Sequence, residues 1–171
     1  VVNSVPLKLH EVSCIVTAYV KVPSKHLHSE YEIWWKHFLS LRDPIIVFTT
    51  REFVNQIRRI RGNRPIHMVE ITLAELDLGY STTFWEAQHH RDPEKAYQRS
   101  YFLYWVWLNK PFFVGRAIAL NPFNATIFAW SDIGQFREDT YDNQMWLQDL
   151  HLVPPNAILF HSSQTIPKLS W

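Results

Sequence analysis

Residues 14–20 read Cys-Ile-Val-Thr-Ala-Tyr-Val, a run of seven β-branched, aromatic and small apolar residues. Pro23 follows shortly after and closes the run. Such a composition, bounded by a residue that interrupts regular structure, is typical of a buried strand. The sequence therefore predicts a buried strand at 14–20, and the rest of the fold is built outward from it.

Two more strands follow, at Ile45–Thr49 and Ile66–Ile71. Apolar residues at helical spacing predict one helix over Glu30–Leu41 and a second from Arg51. Gly62 stands where that second helix is expected to end. The order strand–helix–strand–helix–strand predicts an α/β protein with a mostly parallel sheet and crossover helices.

The middle of the chain is strongly aromatic. Tyr101–Leu108 is a run of eight apolar residues, which predicts a helix buried on most sides. Asn109-Lys110-Pro111 interrupts it, and a further helix is expected from there to Leu120, since proline is tolerated in a first helical turn. Thr126–Trp130 predicts a fourth strand, which ends abruptly at Ser131-Asp132-Ile133-Gly134.

Length and composition limit the classes of protein. The 171 residues predict one domain spanning 1–171, and 47% hydrophobic residues exclude a disordered chain. A single cysteine excludes an internal disulfide and a cysteine-based zinc site. The net charge of +1 gives no reason to expect nucleic acid as a partner. No continuous apolar run reaches the ~18 residues of a transmembrane segment. A further strand is predicted at Ala157–Phe160.

Two predicted strands end in residues suited to a ligand site, Thr17-Ala18-Tyr19 and Trp130-Ser131-Asp132. In open α/β sheets, ligands bind at the carboxyl ends of the strands. Asp132 there is suited to a hard cation such as Mg²⁺ or Mn²⁺ when phosphate oxygens supply the other ligands. Position alone favours the other interpretation, in which Asp132 only terminates the strand through a turn hydrogen bond.

Three ordered segments resemble the HtrL/YibB-like family of glycosyltransferase-like proteins. They are Ile15–Tyr19, Trp107–Val114, and Asn121-Pro122-Phe123 leading into Phe128–Gly134. The resemblance implies a GT-A fold, which is a Rossmann-like sheet that binds a nucleotide sugar together with a divalent metal. Chains of this family are expected to continue further, so the resemblance implies that part of a C-terminal acceptor region is lacking here.

The resemblance also assigns roles to residues. Thr17, Ala18 and Tyr19 would line the nucleotide pocket, with Tyr19 against the base. Asn109 and Lys110 would approach the diphosphate or the donor sugar. Lys110 suits this role because an ammonium group acts as a point charge for phosphate, whereas the alternative interpretation is a solvated lysine in a helix break.

Asp132 would stand in the place of the acidic metal-binding motif, with Mn²⁺ or Mg²⁺ as the expected cofactor. That motif usually has two acids flanking one residue, and here Trp130 occupies the first position. A metal ion or basic side chains would stabilise the charge that develops on the leaving nucleoside diphosphate.

Arginines crowd the end of the second predicted helix: Arg58, Arg59, Arg61 and Arg64. They suit two roles, a grip on phosphate and the neutralisation of the helix C-terminal dipole, and the second is favoured. Arg58 and Arg61 share a face of the helix and are therefore the best candidates of the group, and Arg58 is the predicted nucleotide-binding residue.

The histidine pairs His26/His28 and His89/His90 are interpreted as solvated, because no further ligand completes a zinc site. Cys14 is interpreted as a small core residue.

The sequence therefore predicts a glycosyltransferase that moves a sugar from a nucleotide-diphosphate donor to an unknown glycan or lipid-linked acceptor. Its catalytic residue is not predicted, and its location would be cytoplasmic in a bacterium. A non-catalytic nucleotide- or carbohydrate-binding module of the same fold is the first alternative. A phosphate-ester or nucleotide hydrolase, which would need a second carboxylate cluster near Asp132, and an interaction scaffold are the others.

Overall fold

The computed structural model describes residues 12–24, 26–96 and 100–148. The strands are β1 (Ser13–Tyr19), β2 (Ile45–Thr49), β3 (Ile66–Glu70) and β4 (Ile127–Trp130). The α-helices are α1 (His28–Ser40), α2 (Arg51–Arg61), α3 (Thr82–Arg91), α4 (Phe102–Leu108) and α5 (Lys110–Leu120). Short 3₁₀ turns occupy Leu73–Leu76 and Asp139–Tyr141. The predicted strand at 157–160 lies outside the described residues.

The four strands form one sheet in the order β3-β2-β1-β4, and every pairing is parallel. Ile15 stands opposite Ile45 on one side, and Cys14 opposite Phe128 on the other. The predicted α/β class and parallel sheet are confirmed, and the architecture is compatible with a Rossmann-like fold. Because the chain moves outward from β1 to β3 and then returns to the other side of β1, the strand order reverses between β1 and β4.

Helices cover both faces of the sheet, and β1 is buried along its whole length. Ile15 and Tyr19 enter a core formed with α1 and α2. Cys14, Val16 and Ala18 enter the opposite core, which α5 completes. This alternation explains why the strand is apolar at every position except one threonine and one serine, since both of its faces exclude water.

The prediction that the helix over 101–108 is buried on most sides is wrong. No residue of α4 is fully buried, and Trp107 and Leu108 are 40% and 49% exposed. Trp105 and Val106 pack against the core, and Tyr104 contacts His89 and Asp92 at the end of α3, so the helix is covered on some faces only. When every residue of a helix is apolar, the sequence has no polar face, so it does not indicate which side of the helix packs against the core.

The first helix also begins earlier than predicted, at His28 instead of Glu30. Its start is fixed by the Glu30 carboxylate, which accepts a hydrogen bond of 2.6 Å from the backbone N–H of Leu27. In the part of the chain that the structure describes, no helix has the length and apolar character that crossing a membrane requires.

Candidate functional site

An open cleft of about 570 Å³ lies at the carboxyl ends of β1 and β4. One wall is the β1–α1 connection with the start of α1, and the other is formed by α4, Lys110 and the loop after β4. The cleft therefore sits where the strand order reverses, which is the usual ligand position in an open α/β sheet.

Lys110 and Asp132 meet inside this cleft. The Lys110 Nζ lies 2.8 Å from Oδ1 of Asp132 and 3.0 Å from its Oδ2. The indole N–H of Trp130 donates a third hydrogen bond to Oδ1, at 3.1 Å. Lys110 and Asp132 were each predicted for the site separately, and the structure brings them together as an ion pair.

Tyr19 and Ala18, two of the predicted site residues, also line the cleft. The Tyr19 hydroxyl lies 2.6 Å from Nδ1 of His28, and the ring packs edge-on against Trp35 and Phe53. Burial raises the pKa of the Tyr19 phenol well above its usual value, so this side chain is neutral at physiological pH.

The other three predicted site residues do not line the cleft. Thr17 is fully buried in the sheet, and Arg58 is exposed on α2. Asn109 is 7% exposed, and its amide donates to the carbonyl oxygens of Leu76 and Trp105 at 3.0 and 2.8 Å. Asn109 thus joins α4, α5 and the 3₁₀ turn, which is a structural role.

Arg61 has a structural role that differs from the predicted neutralisation of the helix dipole, because its contacts lie outside α2. This fully buried side chain donates to four backbone carbonyl oxygens, those of Leu39, Leu41, Asp43 and Pro65. Burial lowers the pKa of Arg61 to about 10, so it keeps its charge at neutral pH. Arg61 therefore links the backbone segments that lead into β2 and β3. Because its side chain is fully buried, a ligand cannot reach it.

Several cleft residues were not predicted as site residues from the sequence, among them Lys21, His26, His28, Trp34 and Arg137. The interpretation of His26 and His28 as solvated is wrong. The His26 ring packs against Trp34 with centroids 4.8 Å apart, and its buried Nε2 has no hydrogen-bond partner among the described residues. The sequence feature that could have predicted this cluster is its position, because the segment directly follows a buried strand at the carboxyl end of the sheet.

The loop after β4 is held close to α1 by a glycine. A Cβ built on Gly134 would lie 2.9 Å from Cε3 of Trp34 and 3.1 Å from Cε1 of Tyr31. Beyond it, the Arg137 guanidinium lies 4.4 Å from the centroid of the Trp34 ring. Gly134 therefore allows the loop to bring a cation over an aromatic face at the mouth of the cleft.

The residues present do not fit a resident divalent cation. Among the described residues lining the cleft, Asp132 is the sole carboxylate, and both of its oxygens already accept hydrogen bonds. Within residues 12–24, 26–96 and 100–148, no group of three or more His, Cys, Asp or Glu side chains converges on a point. The carboxylate cluster that a hydrolase would need is likewise missing from those residues. The donor set of the described cleft is therefore too small to hold a metal ion without a ligand.

No family model, curated protein or solved structure matches this chain. The class of protein is therefore defined by its fold and cleft alone. It is an α/β protein with a four-stranded parallel sheet among the described residues and an open cleft at the reversal of the strand order. The resemblance to the HtrL/YibB-like family stays a prediction.

Proposed function

We propose that this protein is a glycosyltransferase that uses a nucleotide-diphosphate sugar, built on a GT-A version of the Rossmann-like sheet. The observation that carries the proposal is the cleft at the β1/β4 reversal, which is lined by both cations and aromatic rings. A nucleotide sugar needs this combination, because it presents flat apolar faces at its base and sugar and negative charge between them.

The charged part of the cleft suits the leaving group. When the bond from the sugar to the diphosphate breaks, negative charge grows on the nucleoside diphosphate, and positioned cations lower the energy of that state. Lys21, Lys110 and Arg137 line the cleft. In this proposal Lys110, deepest of the three with a side chain 28% exposed, is the principal contact of the diphosphate.

The aromatic part of the cleft suits the base and the sugar. Tyr31, Trp34 and Trp107 line it, and Trp107 is 40% exposed. Stacking on an aromatic ring is worth about 1–3 kcal/mol per base by alanine substitution. Tyr19 contributes a wall whose ring is held by its neighbours, so its position is fixed before a ligand arrives.

The test is a scan of nucleotide sugars for release of the nucleoside diphosphate, together with calorimetric titration of UDP with and without Mn²⁺. Trp107→Ala is expected to weaken nucleotide-sugar binding by about tenfold, as one lost stacking partner implies. Phe112→Ala is the matched control, since Phe112 is also an exposed aromatic residue but lies outside this cleft. Equal effects of the two variants, or no binding of any nucleotide sugar, would contradict the proposal.

A non-catalytic binding module is the second candidate. The sole carboxylate lining the described cleft is Asp132, and its pairing with Lys110 leaves it a poor general base. This module would bind nucleotide sugars with the same dependence on Trp107 and would release no nucleoside diphosphate. The turnover measurement therefore separates the two candidates.

A further inference from the structure

We infer that the cleft binds a diphosphate without a divalent cation, and that Asp132 serves as the resting counter-ion of Lys110 instead of a metal ligand. The inference rests on the proposed function for the identity of the ligand, since it names how the same site holds the diphosphate. The inference depends on how Asp132 affects diphosphate binding. If Asp132 coordinated a metal ion, its carboxylate would strengthen that binding, whereas a counter-ion that competes for Lys110 weakens it.

The balance of charge in the cleft supports this arrangement. Three cationic side chains line it, Lys21, Lys110 and Arg137, against the carboxylate of Asp132. A divalent cation is needed to bind a phosphate group where the site presents carboxylates and too few basic side chains to neutralise the negative charge. Here the surplus of basic side chains can neutralise a diphosphate directly, as Lys and Arg do in other phosphate sites.

Two acids of α1, Glu30 and Glu32, already have partners outside that helix. Glu30 accepts from the Leu27 backbone N–H and lies 3.4 Å from His26. Glu32 accepts a hydrogen bond of 2.6 Å from the Gln56 amide. Neither residue lines the cleft, so neither is placed to complete a metal site with Asp132.

The Lys110–Asp132 pair is open to exchange. The Asp132 side chain is 58% exposed, and ion pairs at this exposure are weakened by solvent and salt. A diphosphate offers Lys110 more negative charge than one carboxylate does. Lys110 would therefore leave Asp132 for the ligand, with Asp132 released to water and to the indole N–H of Trp130.

The test is calorimetric titration of the wild-type protein with inorganic pyrophosphate, once in EDTA and once with Mg²⁺, with free pyrophosphate corrected for its metal complex. Binding is expected in EDTA. Asp132→Asn is expected to bind at least as tightly as the wild type, since it removes the competitor. Lys110→Gln is expected to bind about tenfold more weakly, as loss of a charged hydrogen bond implies. Lys36→Gln, an exposed lysine on α1 outside the cleft, is expected to change nothing.

Binding that requires Mg²⁺ and is lost in Asp132→Asn would overturn the inference, as would equal weakening by Lys110→Gln and Lys36→Gln. Absence of pyrophosphate binding by the folded wild type in both buffers would also overturn it. Thermal melting of each variant separates lost binding from lost folding. Pyrophosphate binding in EDTA without turnover of any nucleotide sugar would leave this inference standing while the transferase proposal fails.

Discussion

The hydroxyl of Tyr19 lies 2.6 Å from Nδ1 of His28, and this bond joins the last residue of β1 to the first residue of α1. On its other side, Nε2 of His28 lies 3.5 Å from a carboxylate oxygen of Glu32. The arrangement favours the tautomer in which Nε2 carries the proton towards Glu32 while Nδ1 accepts from Tyr19. The two ends of the β1–α1 connection, which forms one wall of the cleft, are therefore held together by this hydrogen bond.

A double-mutant cycle on this contact is expected to give a coupling free energy of about 1 kcal/mol, the usual value of a part-buried hydrogen bond. The variants are Tyr19→Phe, His28→Phe and the double substitution, which keep a ring at both positions. Urea unfolding measures each free energy. Additive effects would show that ring packing alone holds the two residues together.

Gly134→Ala is expected to lower the free energy of unfolding by about 1–3 kcal/mol, because its new methyl group overlaps the Trp34 ring. Gly115→Ala is the control, since a Cβ there meets no atom within 4 Å and lies in the helix α5. That change is expected to stabilise by about 0.5–1 kcal/mol through helix propensity. Thermal melting of both variants measures these changes in stability. A loss of stability in Gly115→Ala but not in Gly134→Ala would contradict the close approach of Gly134 to Trp34.

Arg61→Met is expected to cost about 3 kcal/mol or more of stability, since it leaves buried carbonyl oxygens without a donor. Arg58→Met, three residues earlier on the exposed side of α2, is expected to change stability by less than about 0.5 kcal/mol. Chemical denaturation measures both. Similar costs for the two would mean that Arg61 does not carry the contacts described.

Cys14 is expected to resist a thiol reagent in the native protein at pH 8 and to react on unfolding. The residue is fully buried, and burial raises its pKa from 9.0 to about 12, so the reactive thiolate is scarce. The unfolded thiol ionises at lower pH than the folded one, so stability from this group falls as the pH rises above 9. Rapid native labelling at pH 8 would show that β1 opens readily.

The regular elements could be predicted because their patterns are local. The boundaries of Ile45–Thr49 were predicted without error, and those of β1, β3 and β4 to within one residue. Parallel pairing followed from the order of elements along the chain. The burial of α4 could not be predicted, because it depends on what packs over the helix and not on the helix itself.

The site was predictable only in part for the same reason. Position after a strand was enough to choose Tyr19 and Asp132, whereas Lys110 was chosen only through the resemblance to the HtrL/YibB-like family. Their mutual contacts, and the place of His28 and Arg137 beside them, depend on how distant segments meet in space. Arg58 and Arg61 show most clearly what the sequence could not predict. The two arginines belong to one helix, but Arg58 is exposed to solvent and Arg61 is fully buried.

The pairing of β4 with β1 begins where the backbone N–H of Thr126 donates to the carbonyl oxygen of Val12, across 114 positions of sequence. Long-range pairing of this kind is slow to form, because a large loop must close before any contact rewards it. One wall of the cleft follows β1, and the other depends on β4 and its neighbours. A molecule bound between them stabilises the joined state by mass action. If the proposed ligand binds in the cleft, its binding and the pairing of β4 with β1 are therefore linked equilibria, and each favours the other.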